Sequence, residues 1–195
     1  MPNTATELSA VNIMLETIGA APVASLAGVQ NQDVIVAKSV LDQVVREVQG
    51  EEFYFNTEKG FPFVPENDGT VRVPNNVTRI YPCAAFYGPK DVVVRGNKLY
   101  DKENHTYRFE HPFEADITLC LDFDALPSEV KTYITIRAAR KFAVTSLGDD
   151  NVEQWTAQDE ARARATMIAA DTAQGTAHMG VRMKLDPLIG VELSR

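Results

Sequence analysis

Between Glu51 and Leu126 the chain carries six prolines, at positions 62, 65, 74, 82, 89 and 112, and four glycines, at 60, 69, 88 and 96. Proline fixes φ and has no backbone donor, so no long helix can cross this stretch. Helices must lie on either side of it. Short β-type runs sit between the breakers. Val92-Val93-Val94-Arg95 and Lys98-Leu99-Tyr100-Asp101 flank Gly96-Asn97, a two-residue hairpin turn. Thr106 to Phe109 and Asp116 to Leu121 are further strand candidates. The expected result is a small antiparallel sheet inserted between helices.

The flanks have helical periodicity. From about Thr4 to Ile18, Leu8, Val11, Leu15 and Ile18 form an apolar stripe, with Thr4 and Glu7 as a capping box and Gly19 as the stop. From Gln32 to Gln49, Ala37, Leu41, Val44, Val45 and Val48 share one side, and Gly50 ends the run. A third helix is expected from about Pro127, carrying Val130, Tyr133, Ile134, Ala138 and Phe142. Arg137, Arg140 and Lys141 read as one polar face of it. Leu147 to Asp150 is a short connection. Asn151 then caps a fourth helix reaching about Gln174, with Trp155 as its bulkiest anchor. After Gly175 the chain reads as irregular yet apolar, through Met179, Met183, Leu185, Leu188 and Ile189, and such a segment wants a partner. The fold class is therefore α+β: an antiparallel bundle of about four helices (1–50 and 126–175), an inserted β domain (51–125) and an extended C-terminal arm (176–195).

The 195 residues suffice to bury roughly 70% of the unfolded surface without a metal or disulfide. Hydrophobic content of 45% and charged content of 24% are those of an ordinary globular chain. A formal net charge of −8, with no basic stripe, opposes sequence-specific nucleic-acid binding. Cys83 and Cys120 form no CxxC pair, and His105, His111 and His178 stand singly, so free buried thiols are expected and a zinc site is not. No signal peptide is expected at the N-terminus, and no apolar run approaches the ~20 residues that span a bilayer.

Chemistry has little purchase. There is no phosphate loop, GxSxG elbow or HExxH helix, and so no cofactor or catalytic residue is expected. Carboxylates at Glu51-Glu52, Glu58, Glu66-Asp68, Asp122-Asp124 and Asp149-Asp150 could supply a glycosidase acid and base, but turns and helix starts call for the same residues. Phe53-Tyr54-Phe55 with Phe61 and Phe63 could stack a sugar, but at a helix–sheet junction they serve to pack the two layers together. His105 and His111 near Arg108 give no triad.

Glu7-Leu8-Ser9-Ala10-Val11-Asn12, then Leu15, Ile18-Gly19, Pro22-Val23 and Leu26, resemble the opening helix of the tail tubular protein A family of short-tailed phages. Phe55-Asn56-x-Glu58-x-Gly60, Tyr100-Asp101 followed by Arg108-Phe109, Tyr133-Ile134, Ala139-Arg140-x-Phe142 and Asp159-Glu160-Ala161-Arg162 resemble later parts in the same order. The likeness is weakest between about Pro62 and Val92 and from Thr166 to Leu185. It implies a structural virion protein of the phage tail, made in the host bacterial cytoplasm. It further implies a homododecameric ring, an adaptor or gatekeeper beneath the portal protein and above the nozzle of tail tubular protein B, through which DNA passes during ejection. The C-terminal arm would reach the portal, with Met179, Met183, Leu185, Leu188 and Ile189 as its anchors. The alternative is a tail-associated hydrolase of host surface polysaccharide or cell wall.

Overall fold

The computed structural model describes residues 5–28, 30–83, 91–147 and 156–185, with Leu147 and the last ten of these as backbone only. Among the described residues, four helices flank two small antiparallel sheets as the breaker pattern requires: α1 (Glu7–Thr17), α2 (Gln32–Gln49), β1 (Thr57–Phe63), β2 (Val77–Pro82), β3 (Val92–Arg95), β4 (Lys98–Asp101), β5 (Phe113–Leu119), α3 (Ser128–Leu147) and α4 (Ala157–Leu185). The class is α+β.

Helix α1 starts later than Thr4. Thr6 is its N-cap: the Thr6 hydroxyl accepts from the Ser9 amide at 3.2 Å, and the Ser9 hydroxyl accepts from the Thr6 amide at 2.8 Å. Glu7, expected in the capping box, is used elsewhere. Its carboxylate meets Lys38 of α2 at 2.6 Å, and its amide donates to Asp124 at 2.9 Å. At the other end Gly19 adopts φ +73°, and the amides of Gly19 and Ala20 close on the carbonyls of Glu16 and Leu15. That left-handed residue is why glycine stands there. Asn12 then clamps the returning chain, its side-chain oxygen accepting from the Val23 amide at 2.8 Å and its nitrogen donating to the Val23 carbonyl at 3.0 Å.

Ala10, Val11, Met14 and Leu15 of α1 pack against Val34, Ala37, Leu41, Val44, Val45 and Val48 of α2 and Val130, Tyr133, Ile134, Ala138, Ala139 and Phe142 of α3. This is one apolar core. A second contains none of the same residues: Phe63, Val71, Val73, Val77, Ile80, Val92, Leu99, Phe109, Phe113, Ala115 and Ile117. The three-stranded sheet runs β1-β5-β2 and the two-stranded one β3-β4. Prolines fall where a missing donor is tolerated, Pro62 and Pro82 both lying on edge strands. Between Glu58 and Phe61 a bulge interrupts pairing; Gly60 there has φ +65° and donates its amide to the Asp116 carboxylate at 2.9 Å.

The β3–β4 hairpin around Gly96-Asn97 is as expected, with Arg95 opposite Lys98. The expected strand at Thr106–Phe109 does not form: a single bridge pairs Thr106 with Asp101. The buried Asp101 carboxylate captures the amides of Glu103 and Asn104 and the side chain of Asn104, each at 2.9 Å, and His105 turns the chain at φ +54°. The strand expected at Asp116–Leu121 begins three residues earlier, as β5, and ends at Leu119. Leu121 is taken out of the ladder by Gln49, whose amide oxygen accepts from the Leu121 N–H at 2.7 Å while its nitrogen donates to the Leu121 carbonyl at 2.8 Å. Gln49 is fully buried, and Asn56 joins it by donating to the carbonyls of Gln49 and Leu119. These two amides weld the helical core to the sheet.

Candidate assembly site

The sequence placed the interaction site at the C-terminal end, so the seat of α4 determines what that end can do. Thr156 caps α4: its hydroxyl accepts from the Asp159 amide at 3.2 Å, and Asp159 accepts from the Thr156 amide at 3.1 Å. Asn151 and Trp155, expected as cap and anchor, lie outside the described residues. Along the helix, alanines and polar side chains occupy most positions. Among its described residues Met167 is the fully buried side chain, with Ala163 partly buried beside it.

Polar contacts hold the rest. Arg164 grips the Glu51 carboxylate with both terminal nitrogens, at 3.0 and 2.6 Å, and donates to the Tyr133 hydroxyl at 3.2 Å. The hydrogen bond to Glu51, and then that to Tyr133, push the Arg164 guanidinium further up. Glu160 meets Arg137 at 3.3 Å and also pairs with Arg140. Asp171 accepts from the backbone amides of Tyr54 and Phe55 at 2.9 and 3.1 Å, capping from outside the short 3-10 turn Tyr54–Asn56. The Arg137, Arg140 and Lys141 face is therefore matched by acids, since Lys141 pairs with Glu47 at 2.8 Å. That pairing, chiefly the hydrogen bond from Lys141, holds the Glu47 carboxyl below its ordinary range.

Helix α4 does not stop at Gly175. It runs through Gly175 and Gly180 to Leu185, which corrects the irregular segment expected there. Gly175 is a place of close approach rather than a terminator: a Cβ on it would stand 3.4 Å from the ring of Tyr54. Of the proposed arm anchors, Met179, Met183 and Leu185 lie on the last turns of α4, and Leu188 and Ile189 lie outside the described residues.

Among the described residues the candidate catalytic carboxylates that are held have separate partners. Glu51 is held by Arg164, Glu66 by Arg72 at 2.7 Å, and Asp68 by the amide and hydroxyl of Thr70. Glu52 accepts from Tyr81 at 2.6 Å and Arg79 at 3.0 Å; these hydrogen bonds, Tyr81's first, lower its carboxyl. Asp124 caps α1, Glu58 is exposed, Asp122 precedes a 3-10 turn and Asp149-Asp150 lie outside the described residues. Every clear carboxyl shift among the described residues is downward, the opposite of what a general acid needs.

The aromatics divide between the cores instead of bridging them. Phe53 and Phe55 stack at 5.6 Å against the helical core, while Phe63 stacks on Phe113 at 5.6 Å with Phe61 edge-on at 5.1 Å in the sheet core. His105 and His111 are exposed. Cys83 and Cys120 are free and half-buried rather than fully buried. Among the described residues no cluster of His, Cys, Asp and Glu could hold a metal ion, and no helix is long and apolar enough to cross a membrane.

Among the described residues, the feature that stands out is a long helix seated on the bundle largely by polar contacts. A family model for tail tubular proteins matches residues 8–177. The chain belongs to the tail tubular protein family. Tail tubular protein A of Klebsiella phage KP34 is 27% identical over 164 residues, which cover 83% of this chain and 84% of that protein. As a family member the chain is a structural component of a phage tail. The family match contains Glu160, Arg164, Met167, Asp171 and Gly175, so the whole described seat of α4 lies within it.

Sequence reasoning missed three groups in this region. Gln49 and Asp171 bond partners 72 and 116 or more residues away, and no local pattern marks such pairs. Arg164 bonds Glu51, 113 residues away, and no local pattern marks it either.

Proposed function

We propose that the chain is the adaptor of the phage neck, a homododecameric ring joining the portal protein to the nozzle made by tail tubular protein B. DNA passes through the ring during ejection without sequence-specific binding, and the protein catalyses nothing. The observation that carries this reading is the family match over residues 8–177, which spans both cores and the seat of α4. The helical part (1–50 and 126–175) serves as the ring body, residues 51–125 as the inserted β domain and residues 176–195 as the arm. Support for the arm comes from α4 itself, which continues ten residues past Gly175, about 15 Å at 1.5 Å per residue. Met179, Met183, Leu185, Leu188 and Ile189 are its anchors on the portal. The net charge of −8 per copy suits a channel that must not hold DNA, although screening limits that repulsion to about 10 Å in 0.1 M salt.

The test is truncation after Gly175, which leaves every described contact of α4 in place. The shortened protein is expected to fold and to lose binding to purified portal. Undiminished portal binding would overturn the arm assignment. Sugar release from host polysaccharide, abolished by neutralising one acidic pair, would overturn the non-catalytic reading.

A further inference from the structure

We infer that α4 is a charge-latched strap, able to leave the α1–α3 bundle as a unit while the rest of the chain stays folded. Three observations carry this. The first is what holds it among its described residues: one fully buried side chain, Met167, and a row of ion pairs and charge-assisted hydrogen bonds at Glu160, Arg164 and Asp171. Such contacts at a half-exposed surface are individually weak and screened by salt.

The second observation is what remains when α4 goes. Arg137 keeps Glu47 at 3.5 Å and the Tyr133 hydroxyl at 3.0 Å, and Lys141 keeps Glu47. The Tyr133 hydroxyl, losing Arg164, keeps Arg137. Glu51 and Tyr54 are exposed and Arg140 and Phe55 half-buried, so water can reach the groups that lose protein partners. Undocking therefore strands no buried charge, which is the usual reason a polar interface cannot open.

The third observation is Gly175, a residue that weakens a helix by about 1 kcal/mol relative to alanine, placed at the last described contact of α4 with the bundle. The described latches lie before it and the helix continues to Leu185. Releasing them changes where the chain beyond Gly175 points. This consequence rests on the arm reading above; the release itself does not, and is measured on the free protein.

Native-state hydrogen exchange of the full chain, read segment by segment at about 0.1 M and about 1 M salt, tests it. The screening length falls from about 10 Å to about 3 Å over that range. Amides of residues 160–174 are expected to exchange about tenfold faster at the higher salt, with those of α1–α3 unchanged. Glu51→Gln and Asp171→Asn should each speed exchange in α4 at low salt and reduce its salt response. Exchange of α4 only together with α1–α3, at both salts, would overturn the proposal. So would a salt response that the two variants leave intact.

Discussion

Helix α3 is covered from two sides by helices attached in opposite ways. With α1 and α2 it builds a continuous apolar core through Tyr133, Ile134, Ala138, Ala139 and Phe142, which α4 joins through Met167 as its one fully buried described side chain. Toward α4 it presents Arg137, Arg140 and the Tyr133 hydroxyl, answered by Glu160 and Arg164. Apolar burial is non-directional and is not screened by salt, so the first contact gives a scaffold. Ion pairs at the surface are directional and screened, so the second gives an attachment that solution conditions and partners can reach. A tail protein needs both, a body that keeps its shape and an end that can find its place.

The largest effect is expected inside the scaffold. Phe142 is fully buried in α3, and Phe142→Ala should cost about 3–5 kcal/mol in urea unfolding. A small cost would break the comparison, because the bundle would then be no better packed than α4. At the junction of helices and sheet, Gln49→Leu strands the N–H and carbonyl of Leu121, with an expected cost of about 2–3 kcal/mol. Met167→Ala sharpens the contrast. Although Met167 is as buried as Phe142, its removal should lower global stability by only about 1 kcal/mol, because α4 can open before the rest unfolds, while raising exchange within α4. A global loss as large as that of Phe142→Ala would show that α4 belongs to the scaffold.

The smallest effect lies in the sheet, where charge plays a fixed rather than a releasable part. Burial opposes ionisation of Asp101, but the hydrogen bonds from Asn104 and then Glu103 outweigh it and lower its carboxyl below the ordinary 3.8. A carboxyl lowered on folding stabilises above the unfolded value and loses that contribution as the pH falls through the folded one. Asp101→Asn should therefore flatten the stability loss below about pH 4. An unchanged acid limb in equilibrium unfolding would contradict it.

How much of this was legible in sequence follows the same division. Helix α2 was readable from Gln32 to Gln49 because its valines and leucine recur at helical spacing and Gly50 closes it. The Gly96-Asn97 hairpin was readable because a two-residue turn needs such residues. What failed was whatever depends on distant partners. Thr6 caps α1 with Ser9 as its partner while Glu7 is drawn to Lys38 and Asp124, and Thr4 lies outside the described residues. Thr106–Phe109 has strand-like residues, but the Asp101 carboxylate bends the chain first. Gly175 and Gly180 look like stops, yet α4 passes through both, and at Gly175 the small residue fits against Tyr54. The latch on α4 left no periodic signal at all, since alanines and charges surround that helix. The ordered family motifs, by contrast, were strong enough to identify the family.

The central claim, that this chain builds the ring between portal and nozzle, is tested most directly by electron cryomicroscopy of the neck of purified phage particles. The account predicts one continuous ring of this chain directly beneath the portal, its bundles forming the wall and residues 176–195 of each copy running onto the portal. A neck in which this chain forms no ring, or a ring whose C-terminal segments contact only the nozzle, would contradict it.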